Sequence, residues 1–477
     1  MALAVLKSNG FLQDEASPTI SVARSRHASQ GDYSSNLAML LAKPNGRKSQ
    51  EIGKALIAAL PLNDAVKNIV IGGPGFINFY LTSDRQTSVV SHVLEEGSQF
   101  GRSDQGAGRR LLVEVVSVNA IGLLQIGHGR EAVLGDTVAN LLQALGYEIE
   151  RVFRVTDAGR QLGVLAEDKE VLCRLGIQFN SNLKEYVRTD DAGSVIDKLE
   201  SAGHLYTEGG MRWFRSTAFG NDKDQVMVLA NGSTTTLASD LASIDNQLAR
   251  GFEKVVHVSG VDLQEQAAHL KAAVAALSLP AGSLEFLLVQ PTVTRHSGQR
   301  SPLLTRTDDA PLRELFDETG KDVARFFYLM RSHRQHLEIV LELAASLSCE
   351  NPLYCVQYAC ARISSVERQF GQRGLIFNRT RGLRSLVCLA EGVEADILIL
   401  LATYPEVVVC AACDREPHQL IEYLRDLANA LHTYYNAHKI LAEDAELRDA
   451  RFCLMLAVRQ VLENGLTLID VSTPEVM

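Results

Sequence analysis

The segment that most constrains the fold of this chain runs from residue 111 to residue 161. Its first residues, 111–116, form an apolar, β-branched run that predicts a strand, and apolar residues at helical spacing over 133–145 predict a helix. A glycine ends that helix, and residues 147–155 predict a second strand. In such a βαβ unit the glycine-bearing turn at 119–129 lies at the helix N-terminus, where backbone amides favour a phosphate. The segment therefore predicts a nucleotide-binding fold.

The residues around this turn follow a defined order: Glu114, Ser117, Asn119 and Gly122, then Gln-Ile-Gly-His-Gly-Arg at 125–130, then Val-Thr-Asp-Ala-Gly-Arg-Gln at 155–161. This order resembles the catalytic core of class I arginyl-tRNA synthetases. That family carries a histidine at the position of Gln125, prolines at those of Ala120 and Leu123, and asparagine at that of Thr156. The resemblance implies an α/β fold of the class I synthetase type, built on a Rossmann-like parallel sheet, with an altered catalytic signature.

Length and composition predict an ordinary globular protein. A chain of 477 residues is long enough for about three domains, and 46% hydrophobic with 22% charged residues is a usual balance. No window approaches the roughly 18 to 20 unbroken apolar residues of a membrane span. No basic region precedes a hydrophobic segment at the N-terminus, so no secretory signal is predicted. We therefore expect a cytoplasmic protein without a membrane segment.

The net charge of −10 argues against indiscriminate nucleic-acid binding, because binding to the phosphate backbone is electrostatic. Any contact with RNA must then use local basic patches. There are two candidates: an early cluster of Arg24, Arg26, His27, Lys43, Arg47 and Lys48, and a later run of Arg368, Arg373, Arg379, Arg381 and Arg384. A solvated surface is the default interpretation of both. The resemblance alone points them toward tRNA.

The eight cysteines lie mostly inside apolar runs, which predicts reduced, buried thiols. Cys410 and Cys413 form the only C-x-x-C spacing. A zinc site would need a second pair of ligands nearby, and a redox motif would need a thioredoxin-like context; the sequence shows neither. Both residues are therefore predicted to be small buried hydrophobic groups, and no metal site is expected.

Residues 1–108 predict an independent α+β module. Helical patterns span 34–41 and 49–60, and strands are predicted at 68–71 and 76–81 around a Gly-Pro-Gly turn. The stretches GDYSSNLAMLLAK and GPGFINFYL are similar to the N-terminal domain of the arginyl-tRNA synthetases. In that family the domain leans on the elbow of the tRNA, so the resemblance implies the same partner here.

A polar stretch at 96–108 predicts a linker to the second domain, residues 109–340, which holds the nucleotide fold. The stretch 162–179 is shorter by several tens of residues than its counterpart in the family, and the similarity resumes at 201–232. A second αβ half follows, with a strand at 254–258, a helix at 264–277 and a strand at 284–289. A segment beside the active site is therefore predicted to be missing.

Residues 341–477 predict helices only. Three segments with apolar residues at i, i+3 and i+4 span 352–370, 417–441 and 445–468. The stretches NPLYCVQYACARI and EPHQLIEYLRDLANALHTYYN resemble the anticodon-binding helical domain of the family. Periodicity alone gives no function, since a stripe of Leu and Tyr is typical of any helical bundle.

The resemblance implies that ATP, with Mg²⁺, and L-arginine react on the nucleotide fold before transfer to an Arg-type tRNA. Negative charge grows on the triphosphate in that reaction, so donors or cations must face the transition state. His128 matches the second histidine of the family, but Gln125 replaces the first and can never become a cation. Gly127 and Gly129 leave the backbone bare for a purine or phosphate, and Asp262 is assigned to the nucleotide by resemblance.

The mobile loop of the family, which reads Lys-Met-Ser-Lys or a close variant, corresponds to residues 297–316. The alignment puts Arg300 at the loop lysine and Arg306 at its end. Arg300 could contact a phosphate, but its planar fork does not replace a compact ammonium group. Pro302 stiffens a loop that must move in the family.

By resemblance, the amino-acid pocket contains Glu114 for the amino group or guanidinium and Asp240 for the guanidinium, where a carboxylate can bind bidentately. The other substrate contacts assigned by resemblance are Ser117, Asn119, Thr236 and Gln264. Thr236 occupies the position of a family tyrosine, and residues 259–264 lack the usual Trp-Gly-Ala-Asp-His-His. The pocket is therefore predicted to be retained in part.

Three functions fit these observations: an active arginine-tRNA ligase with unusual signatures, a paralogue that binds tRNA, ATP or arginine but charges poorly, and an enzyme that activates arginine or a related amino acid for a dedicated pathway. The departures from the family fall on residues 109–340, whereas both flanking domains are nearly intact. This uneven distribution favours the second function. The family default for oligomeric state is a monomer.

Overall fold

The computed structural model describes residues 2–8, 10–12, 19–25, 30–61, 63–118, 124–155, 169–178, 192–295 and 311–477. Within these ranges a parallel sheet occupies the middle of the chain, an antiparallel sheet precedes it, and a mostly helical region follows it. The fold class predicted from the sequence is confirmed.

The N-terminal part forms an antiparallel sheet in the order β1-β2-β4-β3, with α2 and α3 packed beside it. Its elements are α1 (Ala2–Ser8), β1 (Ala23–Arg24), β2 (Tyr33–Ser35), α2 (Leu37–Ala42), α3 (Ser49–Ala59), β3 (Val66–Gly72) and β4 (Phe76–Leu81). The helix predicted at 34–41 begins later than expected, because residues 33–35 pair with β4 instead. The Ser35 hydroxyl donates to the carbonyl of Ser21 at 2.7 Å and helps to hold that extended backbone.

The central part begins with the predicted βαβ unit. Its elements, in order, are α4 (Ser83–Glu96), β5 (Arg110–Val118), α5 (Ile126–Ala144), β6 (Glu148–Val155), α6 (Ala192–Ser201), β7 (Leu205–Glu208), β8 (Met211–Phe214), β9 (Gln225–Val228) and α7 (Thr236–Ala249). The order continues with β10 (Lys254–Gly260), α8 (Gln264–Ala276), β11 (Leu284–Val289), β12 (Thr292–Arg295), α9 (Leu312–Tyr328) and β13 (Leu337–Val340). Both predicted βαβ halves are confirmed, and α4 is a helix that the sequence interpretation missed.

Four of these strands form one parallel sheet in the order β11-β10-β5-β6. The chain passes from β5 to β6 on one side, while β10 and β11 lie on the other, so the strand order reverses between β5 and β10. Sheets of this kind bind ligands at the carboxyl ends of the strands beside such a reversal. The antiparallel strands β7-β8-β9 form a separate small sheet.

The two faces of the parallel sheet bury different sets of side chains, because successive residues of a strand point to opposite faces. Val113 and Val115 of β5 join a large core cluster that continues into the C-terminal helices. Leu112 of β5 and Val255 of β10 join a second cluster with α6, α7 and α8. Glu114, two residues after Leu112, therefore belongs to the face covered by α7 and α8.

From residue 341 onward the chain is helical, as predicted. The helices are α10 (Leu341–Ala345), α11 (Pro352–Gln372), α12 (Arg379–Arg384), α13 (Gly392–Asp414), α14 (His418–Ala437) and α15 (Ala445–Leu468). The sequence interpretation did not assign α13, whose nearly uniform apolar composition hides any helical period and whose interior contains Pro405. In the structure the Tyr423 hydroxyl of α14 donates to the carbonyl of Leu400 at 2.9 Å and ties the two helices together.

Among the described residues, one helix is long and apolar enough to cross a membrane by length and composition. That helix is α13, which packs against α4, α5, α14 and α15. Buried helices of water-soluble proteins meet the same criterion, so this observation is weak evidence for a membrane. The stretch also contains Glu394, Asp396 and Glu406, and is not an unbroken apolar run.

The prediction that Cys410 and Cys413 are buried is wrong: both are exposed, in the last two turns of α13. Apolar neighbours in the sequence suggested burial, but this end of the helix turns the two cysteines toward solvent. Cys355, Cys360 and Cys453 are buried as expected, but Cys173 and Cys349 are exposed as well, so the prediction of buried thiols is wrong for half of the eight cysteines. Burial raises the pKa of the Cys360 and Cys453 thiols to about 12. No group of three or more potential metal ligands occurs in the part of the chain that the structure describes.

A buried polar network joins the nucleotide fold to the final helix. Arg325 on α9 is 0% exposed, and its guanidinium donates to the carbonyl of Ile469 at 2.7 Å and to the carboxylate of Asp136 at 2.6 Å. On the same helix as Asp136, the side-chain amide of Asn140 donates to the carbonyl of Leu468 at 3.0 Å. The helix that follows β5 is therefore held from one side by residues far downstream.

Candidate functional site

The first turn of α5 follows the carboxyl end of β5. Gln125 is the N-cap residue, with φ −97° and ψ 166°, and His128 lies in the first turn. The backbone N–H of Gln125 donates to Nδ1 of His128 at 3.1 Å. Because Nδ1 accepts this bond, the proton of a neutral ring is on Nε2. The retained histidine thus takes part in a capping box of its own helix.

The predicted mobile loop ends beside this turn. Gln125 forms an antiparallel bridge with Pro311, and the amide of Leu312 donates to the carbonyl of Leu124 at 2.8 Å. A Cβ atom on Gly129 would collide with the side chain of Leu312, so this glycine is required for the close approach of α5 and α9. That packing role does not test the predicted nucleotide contact of Gly129.

Arg130, which follows this glycine, is 2% exposed and organises the backbone around the sheet edge. Its guanidinium donates to the carbonyls of Gln290 at 2.8 Å, Ser332 at 2.9 Å and Gln335 at 3.0 Å. Gln290 directly follows β11, and the other two residues lie between α9 and β13. Arg130 on α5 therefore fixes the segment between α9 and β13, which leads into the helical region.

That segment also contacts the turn between α13 and α14. The Ser332 hydroxyl donates to Glu416 at 2.9 Å, and the Nδ1 atoms of His418 and His333 lie 3.0 Å and 3.5 Å from its carboxylate. Burial raises the pKa of Glu416, but the contacts with His333, His418 and Ser332 outweigh burial and hold the pKa well below its ordinary value. The contact with Glu416 raises the pKa of His418.

Glu114 lies on β5, on the face covered by α7 and α8, and is 1% exposed. Its directly opposite residue on β10 is His257, whose Nδ1 is 2.9 Å from the Glu114 carboxylate. A face of the imidazole stacks on Phe286 of β11, with ring centroids 5.1 Å apart. The carboxylate predicted to bind arginine is therefore already in contact with a basic group of the protein.

Asp240 on α7 is 4% exposed, and its Oδ2 accepts a hydrogen bond of 2.6 Å from the side-chain amide of Gln266 on α8. The three other predicted site residues on these two elements are exposed: Thr236 begins α7, Gln264 begins α8, and Asp262 lies in the turn before it. The two predicted carboxylates are thus buried and engaged, whereas the uncharged contacts and Asp262 face outward.

Asp262 also approaches the end of β10. A Cβ atom on Gly260 would collide with the Asp262 carboxylate and would lie 3.3 Å from Oε1 of Glu131 on α5. Glu131 is 7% exposed and immediately follows Arg130 on α5. The glycine therefore permits the start of α8 and the first turns of α5 to come together at the sheet edge, as a shared nucleotide site would require.

Some predicted site residues lie outside the described ranges. They are Asn119, Arg300 and Arg306; of Ser117 the structure describes the backbone alone. The structure brings Gln125, Gly127 and His128 together in one half-buried turn and places Glu114 on the strand that precedes it. Their predicted roles in binding and catalysis stay predictions.

Sequence reasoning missed His257, Gln266 and Glu131. His257 had a detectable signal, because it is the single ionisable residue within the buried run 255–259, at a position that shares a face with Val255. The bond between Gln266 and Asp240 spans 26 positions and two helices, so no local pattern announces it.

The helical region carries a mixed aromatic and basic surface on α11 and α14. Tyr354, Tyr358 and Arg362 are spaced by four residues on α11, and His432 and Tyr435 face them from α14. Tyr358 stacks on His432 at 5.7 Å, and the guanidinium of Arg362 lies 4.8 Å from the rings of both Tyr358 and Tyr435. All five side chains are half-buried and keep part of their surface at the solvent. We call these five residues the aromatic surface.

In both basic patches predicted from the sequence, some side chains are paired with carboxylates of the same chain and are therefore less available to bind RNA. Arg24 pairs with Glu406 at 2.9 Å, and Nε of Arg381 donates to Asp449 at 2.7 Å. Arg368 and Arg373 are exposed on and after α11. The later patch therefore keeps solvent-exposed positive charge at Arg368 and Arg373.

A parallel sheet whose strand order reverses beside a Gly-His-Gly helix N-terminus defines an α/β nucleotide-binding protein. Three family models match the chain in order: the arginyl tRNA synthetase N terminal domain at residues 3–81, the class I (R) tRNA synthetase catalytic domain at 89–171, and the DALR anticodon binding domain at 356–477. The arginine–tRNA ligases of Thioalkalivibrio sulfidiphilus and Legionella pneumophila strain Philadelphia 1 are each 36% identical, covering 100% of this chain and 98% of theirs. The chain belongs to the arginyl-tRNA synthetase family.

The solved arginyl-tRNA synthetase of Thermus thermophilus superposes with a TM-score of 0.77 at 20% identity, covering 100% of this chain and 98% of that one, which supports the fold. The alignments with the two ligases extend over 576 positions, although this chain has 477 residues. The relatives therefore contain segments that this chain lacks, in agreement with the predicted shortening. Its position after Gln161 stays a prediction.

Proposed function

We propose that this chain is an arginyl-tRNA synthetase paralogue that retains surfaces for tRNA, ATP or arginine and charges tRNA(Arg) poorly or not at all. The observation that carries the proposal is the first turn of α5. There Gln125 occupies the position of the first histidine, and the backbone N–H of Gln125 donates a hydrogen bond to Nδ1 of His128. Of the two imidazoles that the family places there, one is absent and the other is tied into the helix cap.

This arrangement weakens the reaction more than it weakens nucleotide binding. The amides of the helix N-terminus still attract phosphate. A glutamine donates one neutral hydrogen bond, whereas a protonated imidazole adds charge that strengthens as the triphosphate becomes more negative. Loss of one such donor costs roughly 10²- to 10³-fold in rate in well-studied enzymes. ATP binding is thus expected to survive a lesion that nearly abolishes turnover.

The pocket for the amino acid supports the same conclusion. Glu114 and Asp240 are the two acidic groups predicted for arginine, and both contact other side chains of the protein, at 2.9 Å and 2.6 Å. A ligand that brings a guanidinium must displace or share those contacts, and it gains only the difference between the old and new interactions.

The tRNA side of the proposal is supported by the aromatic surface. Aromatic rings and a guanidinium that keep solvent access are the groups on which unpaired bases stack. The exposed Arg368 and Arg373 lie on the same helix or just beyond it and can contribute phosphate contacts. A net charge of −10 makes such local contacts necessary.

Mg²⁺ is expected to arrive with the nucleotide. No set of three metal-ligating side chains is found in the described ranges, and Mg²⁺ is commonly held by substrate phosphates with one or two carboxylates. The carboxylates of Asp262 and Glu131 both lie close to Gly260, at the end of β10. Both could approach a phosphate-bound ion beside the first turn of α5.

An active arginine-tRNA ligase is the second candidate, favoured by 36% identity over 98% of the length of two such ligases. The cytoplasmic location and the monomeric state expected from the sequence also stay predictions.

The deciding experiment measures arginine-dependent ATP–pyrophosphate exchange and charging of tRNA(Arg), with tRNA present in both assays, together with tRNA binding. The proposal expects tRNA binding with little or no turnover above that of a His128→Ala variant purified in the same way. That variant identifies turnover from a contaminating ligase, which it would not abolish. Efficient turnover that disappears in His128→Ala would show that the chain is an active ligase and would overturn the proposal.

A further inference from the structure

A cavity of about 330 Å³ lies between the N-terminal antiparallel sheet, α4 and α13. Small-molecule sites in proteins usually occupy roughly 300–1,000 Å³, so this cavity falls at the lower end of that range. Its lining comes from separate parts of the chain: the N-terminal module, α4 and the helical region. No lining residue belongs to the first turn of α5 or to the pocket predicted for arginine. The cavity is therefore a candidate ligand site apart from the sheet edge.

One wall of the cavity is an apolar stripe on α13. Ala395, Ile399, Ala402 and Pro405 follow one another at intervals of three or four residues, so they share one face of the helix. Two of them are alanines, which leave space that larger side chains would occupy. The apolar wall also includes Val89, Phe100 and Leu398. This wall suits the hydrocarbon or aromatic part of a ligand.

The acidic groups at the cavity are already matched within the protein. Asp32 accepts hydrogen bonds from the backbone N–H of Leu81 at 2.7 Å and from the side-chain amide of Gln86 at 3.0 Å. Glu406, which follows the α13 stripe, forms an ion pair of 2.9 Å with Arg24. Neither carboxylate therefore leaves its negative charge uncompensated toward a ligand.

The basic groups of α4 differ in this respect. Arg85 and His92 both line the cavity and are exposed, and their spacing of seven residues puts them on one face of the helix. Within the described ranges no hydrogen bond or ion pair engages either side chain. Tyr33 also lines the cavity, and burial raises the pKa of Tyr33, so its hydroxyl stays protonated and can donate. The donors available to a ligand are thus two basic groups and a phenol.

We propose that this cavity binds a small amphipathic anion. Its apolar body lies against the α13 stripe, and its anionic head group, such as a carboxylate, reaches Arg85 and His92. A charge-assisted hydrogen bond to a guanidinium is stronger than a neutral one, so the site prefers an anion to a neutral analogue of the same shape. A cationic analogue meets like charge and is disfavoured. Binding here requires no turnover, and the site goes beyond the proposed function.

The position of the site gives such a ligand a structural effect. It contacts both the N-terminal module and α13, which the partly exposed ion pair between Arg24 and Glu406 also connects. An exposed ion pair contributes little by itself. A ligand that binds only the folded protein stabilises it by mass action, so the thermal midpoint should rise with ligand concentration.

The test uses isothermal calorimetry of the full chain with probes that share a phenyl ring on a short alkyl chain: 4-phenylbutyrate, 4-phenylbutanamide and 4-phenylbutylamine. We expect 4-phenylbutyrate to bind with a dissociation constant below about 1 mM. The neutral amide should bind at least about tenfold more weakly, and the amine should bind more weakly still. The thermal midpoint should rise with 4-phenylbutyrate and change little with the amine.

Two sets of variants locate the site. Ala402→Phe places an aromatic ring in the cavity and should abolish binding of 4-phenylbutyrate. Because that substitution could disturb packing, the double variant Arg85→Gln and His92→Gln changes exposed residues alone. It should reduce the affinity for 4-phenylbutyrate to that for the amide. The matched control is Lys54→Gln, which removes an exposed positive charge from α3 outside the cavity and should leave all three affinities unchanged.

Each of the following results would overturn the inference. The natural protein could show no saturable binding of 4-phenylbutyrate, or it could bind all three probes equally well, which would mean that the head group is not recognised. Full affinity in the double variant, or in a folded Ala402→Phe protein, would place the probe elsewhere on the molecule. None of these results depends on whether the chain charges tRNA, so the proposed function is tested separately.

Discussion

The edge of the parallel sheet and the aromatic surface of the helical region treat their polar groups in opposite ways. At the sheet edge, Glu114, Asp240 and His128 each contact another group of the same chain. On α11 and α14, rings and a guanidinium contact one another through their faces while each keeps exposed surface. Face-to-face contacts leave edges and hydrogen-bonding groups available, whereas short carboxylate contacts consume the group that a ligand would need.

The difference teaches that retention of a family's residues and retention of its binding capacity are separate properties. Glu114 and Asp240 are present at the expected positions, but each already contacts a neighbouring side chain, His257 at 2.9 Å and Gln266 at 2.6 Å. The aromatic surface needs no such neighbour, since stacking requires an accessible face and tolerates different bases. Four changes would break or sharpen this contrast.

The largest effect is expected from Arg325→Met, which removes the buried group that connects α5 of the nucleotide fold to the residue after α15. Asp136 would be left as a buried carboxylate with one partner fewer, and the carbonyl of Ile469 would lose its donor. Breaking such a pair costs about 3–5 kcal/mol. Chemical denaturation followed by tryptophan fluorescence and by circular dichroism should show a lower midpoint. Equal midpoints for variant and natural protein would contradict the assigned role of the network.

A second change tests the aromatic surface alone. The double variant Tyr358→Ala and Arg362→Ala should weaken tRNA binding by at least about tenfold, since each stacked base contributes roughly 1–3 kcal/mol. Filter binding at constant salt measures this effect, and arginine affinity should not change. Arg459→Ala is the control, because it removes one positive charge that is paired with Glu367 and leaves the rings in place. Equal losses in both variants would indicate a charge effect without stacking.

A third change tests the sheet edge. Gln125→His restores the group that the family uses, but it repairs neither the loop at 297–316 nor the missing segment. We therefore expect pyrophosphate exchange to rise by less than about tenfold, which corresponds to ~1.4 kcal/mol in the barrier. His128→Ala in the same background should remove any gain. A recovery of several orders of magnitude would mean that Gln125 is the main lesion.

The smallest effect concerns the junction at Glu416. The raised pKa of His418 stabilises the fold below the unfolded value of 6.5, and this contribution is lost as pH rises through the higher folded value. The lowered pKa of Glu416 contributes above its unfolded value of 4.5 and is lost as pH falls toward the folded value. The junction is therefore most favourable between pH 4.5 and 6.5.

For such a partly buried group we expect a contribution of about 1 kcal/mol to the free energy of unfolding. It would be measured as a difference in thermal midpoint between the natural protein and Glu416→Gln. This difference in thermal midpoint should be largest between pH 4.5 and 6.5 and should become smaller at higher pH. His438→Gln, a histidine in another turn of the helical region, is the control. A difference that grows steadily with pH would contradict the assigned ion pairs.

Sequence reasoning predicted the elements that local patterns define. The strand at 284–289 and the helix at 445–468 have the predicted bounds, because a short apolar run and helical periodicity are local properties. Residues 34 and 35 were predicted to begin a helix but belong to a strand, since their pairing with β4 is a tertiary contact that overrides local preference. α13 was missed because an almost uniformly apolar helix has little periodic signal.

The site was predicted less completely than the fold. Motif order located Gln125, His128, Glu114 and Asp240 correctly on the elements that bear them, but it could not show what those groups touch. The neighbour of Glu114 is found only when two strands 143 positions apart are brought into register. Contacts of that kind depend on the assembled sheet, and no single stretch of the chain encodes them.

The bond between Asn140 and the carbonyl of Leu468 spans 328 positions. A ribosome synthesising this chain therefore releases α5 long before the residues at the end of α15 that contact it have been made. The nucleotide fold would stay incompletely ordered through most of translation, and it would finish folding only when α15 is complete. Truncated products that end before α15 would accordingly be substrates for chaperones and proteases rather than small nucleotide-binding proteins in their own right.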